Sequence, residues 1–130
     1  RSGRMIAPDS SALAGVRVLI VEDESLVCMW LEDVLSGIGC HVVGPASRLP
    51  RALELAASET IDAAILDINV AGEKVFPVAD TLHERHIPFV FSTGYGTAGL
   101  PERYARHTVL QKPYFEFKLQ EELERLLNLG

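Results

Sequence analysis

The chain has 130 residues, of which 48% are hydrophobic and 23% charged, enough for one packed domain and too few for two. Its formal net charge of −6 argues against nucleic acid as a partner of this domain, because phosphate binding needs a basic surface. No apolar run approaches the roughly 20 residues that span a bilayer, and the N-terminus lacks a signal-peptide pattern. With only two cysteines, we expect a cytoplasmic domain that makes no membrane contact.

The first 14 residues show no periodicity and include Gly3 and Pro8. They predict a flexible leader (1–14) ahead of a single domain (15–130). The β-branched apolar run at 16–21 predicts a first buried strand.

An amphipathic helix of about 14 residues is predicted next, because Leu26, Trp30, Val34 and Ile38 recur at every fourth position. We expect Trp30 to lie in the core on the apolar face of this helix. A second strand at 41–46 and a second helix at 47–59 follow.

The run at 63–70 predicts a third strand, followed by a loop at 71–74 and a helix at 75–85. A fourth strand is predicted at 88–92. The connection after it is rich in Gly and polar residues and leaves room for one short helix near 101–106.

A brief fifth strand at 108–111 and a final helix at 116–129 complete the pattern. Alternation of five strands with five helices predicts an α/β fold with a parallel sheet covered on both faces. The favoured architecture is flavodoxin-like and doubly wound, with strand order 2-1-3-4-5 and its site beyond the carboxyl ends of the strands.

Polar residues follow the strands at this edge. They are Glu22 and Asp23 after the first strand, Asp67 in the third, Thr93 and Gly94 after the fourth, and Lys112 after the fifth. Close carboxylates repel one another unless a cation joins them, and Mg²⁺ suits a few carboxylate oxygens. A Lys, a Thr hydroxyl and a backbone N–H exposed by a glycine suit a phosphoryl group. The carboxylate of Asp67 is the candidate nucleophile towards phosphorus.

These residues resemble the receiver domain of two-component response regulators, over about 16–129. The motifs are VEDE after the first strand, LDIN around the candidate acceptor, STG after the fourth strand and KP after the fifth. The segment IPFVFSTGYG further resembles a largely alphaproteobacterial, often single-domain subgroup with a PFxFAT-G-type motif, with Ser92 in place of its Ala.

The resemblance implies a role for each matching residue. Asp67 accepts a phosphoryl group from a phosphohistidine; Glu22, Asp23 and Asp67, with the backbone carbonyl of Asn69, hold Mg²⁺; Thr93, Gly94 and Lys112 contact the phosphoryl oxygens; Pro113 follows a cis peptide bond. Asn69 and Tyr95, two places after the acceptor and after the switch Thr, flank the path of the hydrolytic water. The donor would be a sensor histidine kinase or phosphotransfer protein.

Two departures from the family pattern affect switching. Val109 occupies the position on the fifth strand where many receivers carry an aromatic residue, and the span from Thr93 to Lys112 is short. The resemblance places the downstream partner on the face of the fourth helix, fifth strand and fifth helix.

The leading hypothesis is therefore a signalling switch that is no enzyme beyond its own phosphorylation and dephosphorylation. One alternative is a Mg²⁺-dependent phosphohydrolase of similar fold, although Asn69 stands where such enzymes commonly carry an acid/base Asp. The other is a receiver-like interaction module that works unphosphorylated. Taken singly, Asp67 could cap a loop and Glu24 could complement a helix dipole, so Glu24 is left outside the site.

Overall fold

A computed structural model of the chain describes residues 12–94 and 99–129. Its strands are β1 (Arg17–Val21), β2 (His41–Ala46), β3 (Ala63–Asp67), β4 (Asn69–Val70), β5 (Glu73–Lys74), β6 (Phe89–Thr93) and β7 (Val109–Gln111). Its helices are α1 (Ser25–Gly37), α2 (Leu49–Ser58), α3 (Phe76–Glu84) and α4 (Glu116–Leu126), with a 3-10 turn at Glu102–Tyr104.

Five strands form one parallel sheet in the order β2-β1-β3-β6-β7. Counted along the chain, these are strands 2-1-3-4-5, so the predicted topology is confirmed. Every residue of β3 and β6 is buried, as expected for central strands covered by helices on both faces.

Alternate residues along the strands divide the core into two layers. Leu66 and Phe91 belong to the layer under α2 and α3, whereas Ile65 and Val90 belong to the layer under α1 and α4. This alternation of side chains along the strands also applies at the carboxyl edge of the sheet. It determines which pair of helices each side chain there faces.

A short hairpin follows the central strand, where the sequence predicted a longer strand and a loop. β3 ends at Asp67, and β4 pairs antiparallel with β5. Ala71 and Gly72 both have positive φ, of 51° and 85°, as a two-residue turn between antiparallel strands requires. The prediction of one strand over 63–70 is therefore wrong at its end.

The fourth predicted helix is a 3-10 turn, so within the described residues the sheet is covered by four α-helices rather than five. Tyr104 buries its ring against Phe89 and Phe91, and its hydroxyl donates to Asp80 Oδ1 over 2.6 Å. Arg103 adds an ion pair to Asp80 Oδ2 at 2.9 Å. These contacts attach the short connection to α3 without a longer helix.

The packed domain extends into the predicted leader. Of residues 1–14, the structure describes Ala12 onwards, and Leu13 is fully buried in the layer under α1 and α4. Its carbonyl accepts from the Val16 N–H at 3.0 Å.

Helix α1 is less covered than its periodicity predicts. Leu31 and Leu35 are buried, but Leu26 is 80% exposed and Trp30 36% exposed. The expectation that Trp30 lies in the core is wrong, because the Tyr114 ring covers only one edge of it and the rest of Trp30 lines an open surface groove. None of the described helices is long and apolar enough to cross a membrane.

Leu35→Ala should lower the free energy of unfolding by about 2–5 kcal/mol, because Leu35 is fully buried. Leu26→Ala, the same substitution on the exposed part of the same helix, should change it by less than about 0.5 kcal/mol. Urea denaturation measures both, and equal losses in the two variants would contradict the described burial of α1.

Candidate functional site

The carboxyl edge of the sheet brings the predicted polar residues together. The Lys112 Nζ lies 2.9 Å from Glu22 Oε1 and 3.3 Å from Asp67 Oδ2. The Lys112 N–H also donates to the Thr93 carbonyl at 2.8 Å, which ties the end of β7 to the end of β6. The Lys112 backbone is therefore fixed to β6, and its ammonium is held by the Glu22 and Asp67 carboxylates.

An acidic cluster, Glu22, Asp23 and Asp67, occupies this edge. One carboxylate oxygen from each lies within 4.8 Å of the others, a spacing that would let one ion contact all three. Hard oxygen donors with excess negative charge are the set that Mg²⁺ prefers. Lys112 contacts only Glu22 and Asp67 of the three carboxylates, so a single ammonium leaves negative charge unbalanced and the residues fit a divalent cation.

The pKa of Asp67 is shifted by its position in this cluster of carboxylates. Burial, followed by the charge of Glu22, raises the pKa of Asp67 to about 7, although Lys112 opposes the shift. Burial works against the charge of Lys112, but Glu22 and Asp67 outweigh it and raise the pKa of that ammonium. Lys112 stays protonated at neutral pH, whereas Asp67 is poised between its two forms.

Asp23 contacts the hairpin that follows the central strand, and Asn69 lies within that hairpin. The Ala71 N–H donates to Asp23 Oδ2 at 2.9 Å, and Lys74 Nζ donates to Asn69 Oδ1 at 2.8 Å. The hairpin thus fixes the orientation of one carboxylate of the acidic cluster. The amide side chain of Asn69 is occupied by Lys74, and its backbone carbonyl as a Mg²⁺ ligand stays a prediction.

The remaining predicted residues line the edge around Asp67. Thr93 is buried at the end of β6, and the Lys112–Pro113 peptide bond is cis, the isomer expected there. Gly94 is exposed, and no described atom lies within 4 Å of where its Cβ would be, which leaves room for a ligand. Tyr95 lies outside the described residues.

Three side chains near the site were not assigned to it from the sequence. Glu24 Oε1 lies 3.7 Å from Lys112 Nζ, so the third residue of the acidic run also faces the ammonium. Ser92 and Tyr114 carry buried hydroxyls. Ser92 is detectable in sequence as a hydroxyl where the subgroup motif has Ala, but nothing in sequence points to Tyr114.

An apolar groove of about 580 Å³ opens beside Lys112. It lies between α1 and the loop from β7 to α4, and is lined by Leu26, Val27, Trp30, Lys112, Pro113, Tyr114, Phe115 and Glu116. The rings of Phe115 and Phe117 stack with their centroids 5.7 Å apart, and the two side chains are 73% and 70% exposed. The site therefore adjoins an exposed apolar surface.

Comparison with known proteins agrees with this geometry. The profile described as response regulator receiver domain matches residues 18–124. The chain belongs to this family. It is a receiver domain of two-component signalling. Receiver domains are signalling proteins rather than ordinary enzymes.

Named relatives are regulators. The phyllosphere-induced regulator PhyR of Methylorubrum extorquens is 33% identical over 79% of this chain and 36% of its own length. The transcriptional regulatory protein PdtaR of Mycobacterium tuberculosis is 34% identical over 76% of this chain and 50% of its own length. The chain thus spans between about a third and a half of these curated relatives.

Among solved structures, SdrG of Sphingomonas melonis Fr1 is 43% identical, with a TM-score of 0.77, over 90% of this chain and 98% of that one. Similarity to SdrG and PhyR agrees with the alphaproteobacterial subgroup that the PFVFSTG segment indicated.

Without divalent metal, Asp67→Asn should stabilise the fold by about 2–4 kcal/mol above pH 7. A carboxyl whose pKa is raised to about 7 makes its full stabilising contribution below its unfolded pKa and loses it as the pH rises through 7. The gain in the Asn variant should therefore shrink as the pH falls from 8 towards 4.

Urea denaturation in EDTA across this pH range measures the difference. Asp33→Asn is the matched control, because Asp33 is exposed on α1, where a single surface charge contributes little to stability. A gap between Asp67→Asn and wild type that is the same at pH 5 and pH 8 would contradict the electrostatic origin.

Proposed function

We propose that this receiver domain takes a phosphoryl group onto Asp67 from a sensor histidine kinase or a phosphotransfer protein. One observation carries the proposal. The Asp67 carboxylate has the Lys112 ammonium at 3.3 Å, and its oxygen lies within 4.8 Å of those of Glu22 and Asp23. A nucleophile is thus bracketed by a phosphoryl-binding cation and a set of divalent-cation ligands.

In the proposed reaction, an Asp67 oxygen bonds to phosphorus as the bond from phosphorus to the donor imidazole nitrogen breaks. The imidazole leaves with that electron pair, and the product is an acyl phosphate. Glu22, Asp23 and Asp67 would hold Mg²⁺, with the Asn69 carbonyl as a further ligand. When bound, the ion would neutralise charge on the phosphoryl oxygens. Lys112 would hold a second phosphoryl oxygen, and Thr93 and the Gly94 N–H would contact the others.

The phosphoryl group would act as a switch because it adds about two negative charges and new acceptor oxygens at this edge. Lys112 and Thr93, already tied together through the backbone, would be drawn towards it. We place the resulting change of partner affinity on the face formed by the 3-10 turn, β7 and α4. The change would be a shift between two existing states of the domain.

Loss of the phosphoryl group would be self-catalysed and tuned by Asn69 and Tyr95. A phosphohydrolase of similar fold is the alternative, and such enzymes commonly carry an acid/base Asp two residues after the nucleophile. Asn69 has no ionisable group, and its amide oxygen accepts from Lys74. We also propose a cytoplasmic location, consistent with both cysteines being free in the described chain.

The phosphodonor would dock over the apolar groove. Lys112 lines both the groove and the site, so a protein that presents its phosphohistidine to Asp67 must cover this surface. Leu26 and Phe115 offer exposed apolar side chains there, which is unusual on a surface without a partner.

Asp67→Asn should abolish covalent labelling by acetyl phosphate with Mg²⁺ and by a phosphorylated kinase, since an amide oxygen is not the required nucleophile. Phosphate-affinity gels and intact mass spectrometry measure the label. Asp33→Asn should label like wild type, and full labelling of Asp67→Asn would place the acceptor elsewhere. Catalytic turnover of simple phosphate esters by the wild type would favour the hydrolase.

Leu26→Ser combined with Phe115→Ser should slow phosphotransfer from the protein donor about tenfold or more, while labelling by acetyl phosphate stays unchanged. Removing apolar anchors weakens docking without touching the reacting groups. Leu129→Ser is the control, because Leu129 is partly exposed and lines a different groove. Equal slowing with both donors would show that the change reaches the site itself.

A further inference from the structure

Ser92 places a hydroxyl beside the acceptor. It is the residue of β6 that pairs with Asp67 of β3, and residues directly across a sheet share a face. Since Ile65 and Val90 belong to the layer under α1 and α4, Asp67 and Ser92, two residues further along each strand, point the same way. Ser92 is only 2% exposed, so its hydroxyl is enclosed in the protein.

Tyr114 brings a second hydroxyl to this position from the other side. It lies two residues after Lys112, in the loop between β7 and α4, and packs against the same core layer. Its ring meets Trp30 of α1 edge to face, with centroids 5.6 Å apart. The ring is therefore fixed between α1 and the sheet, and its hydroxyl end points inwards.

The two hydroxyls lie near each other. Both are buried, and neither makes a hydrogen bond of good distance and angle to the described residues. Burial raises the pKa of Tyr114, and the Ser92 hydroxyl acts against that rise, which requires the two groups to be close. A buried hydroxyl left unbonded destabilises the fold, so a small movement that joins them is favoured.

We propose that Ser92 and Tyr114 are positioning residues for phosphoryl transfer. Their hydroxyls bond to each other and hold the segment that carries Lys112 against β6. The Lys112 ammonium is thereby kept on the oxygens of Asp67. The proposal rests on the function proposed above for Asp67, and it assigns the two hydroxyls no contact with the phosphoryl group.

The position of the pair supports this role. Lys112 is tied to β6 on one side by its N–H on the Thr93 carbonyl, one residue after Ser92. A bond from Tyr114 to Ser92 would tie the same segment on the other side of Lys112. One attachment on each side of Lys112 along the chain restricts the positions that its ammonium can reach.

The first test measures single-turnover phosphorylation of Asp67 by acetyl phosphate at saturating Mg²⁺. Ser92→Ala and Tyr114→Phe should each slow it threefold to tenfold, and the double variant should be no slower than the slower single variant. Ser92→Thr, which keeps the hydroxyl, should stay within twofold of wild type. Tyr104→Phe, which removes a tyrosine hydroxyl bonded to Asp80, should leave the rate unchanged.

Dependence on Lys112 separates positioning from a general structural effect. In a Lys112→Ala background, adding Ser92→Ala or Tyr114→Phe should slow labelling no further. The proposal is overturned if either substitution slows the reaction equally with and without Lys112, or if neither slows it in the wild-type background.

A second measurement does not depend on phosphorylation. The Lys112 side chain is 19% exposed, so its amine should react slowly with acetic anhydride, as mass spectrometry can follow. Ser92→Ala and Tyr114→Phe should speed this acetylation severalfold, with exposed Lys74 unchanged as the internal control. Unchanged protection would refute the positioning role. Altered protection in a protein that takes no phosphoryl label would retain that role and refute the proposed function.

Discussion

The Lys112 ammonium among the carboxylates at the carboxyl edge of the sheet is the interaction on which the site depends. Parallel strands all end at the same edge, so acids that follow β1 and end β3 are forced together whatever their mutual repulsion. Lys112 lies 2.9 Å from Glu22 and 3.3 Å from Asp67 and offsets part of that repulsion. Burial, together with the repulsion that remains, raises the pKa of Asp67 to about 7, and the residual negative potential of the three carboxylates is what would attract a divalent cation.

The two faces of the sheet are closed differently, and the difference bears on how a phosphodonor could reach the site. On the α2 and α3 face, Tyr104 fills the core with its ring and joins Asp80 through its hydroxyl. On the α1 and α4 face, the groove beside Lys112 stays open. Because the first face is tied by polar contacts while the second ends in exposed apolar side chains, docking of the proposed phosphodonor would be more readily accommodated on the second.

Much of the fold and the main site residues could be predicted from sequence, for identifiable reasons. The apolar runs at β1, β3 and β6 and the polar residues at their ends are local signals, and the parallel order brings those ends together. The hairpin after Asp67 was missed because one of its two positive-φ residues is Ala71, which does not favour that conformation. The exposure of Trp30 was missed because periodicity identifies the apolar face of a helix and does not show which neighbours cover it. Tyr114 was missed for a related reason: its place beside Ser92 depends on the path of a loop.

The absence of an aromatic residue at Val109 changes what a switch in this chain could use. Val109 pairs with Phe91 and packs against the α2 and α3 layer, where a rigid, branched side chain has few alternative rotamers. Tyr114 instead supplies a ring near both the acceptor edge and the apolar groove. Its hydroxyl lies near Ser92, and its ring meets Trp30 edge to face. A displacement of the Lys112 segment towards a phosphoryl group would move this ring, and with it one wall of the apolar groove. Chemistry at Asp67 and the shape of the neighbouring surface would then be linked by direct packing over two residues of the loop, without a rearrangement across the whole sheet.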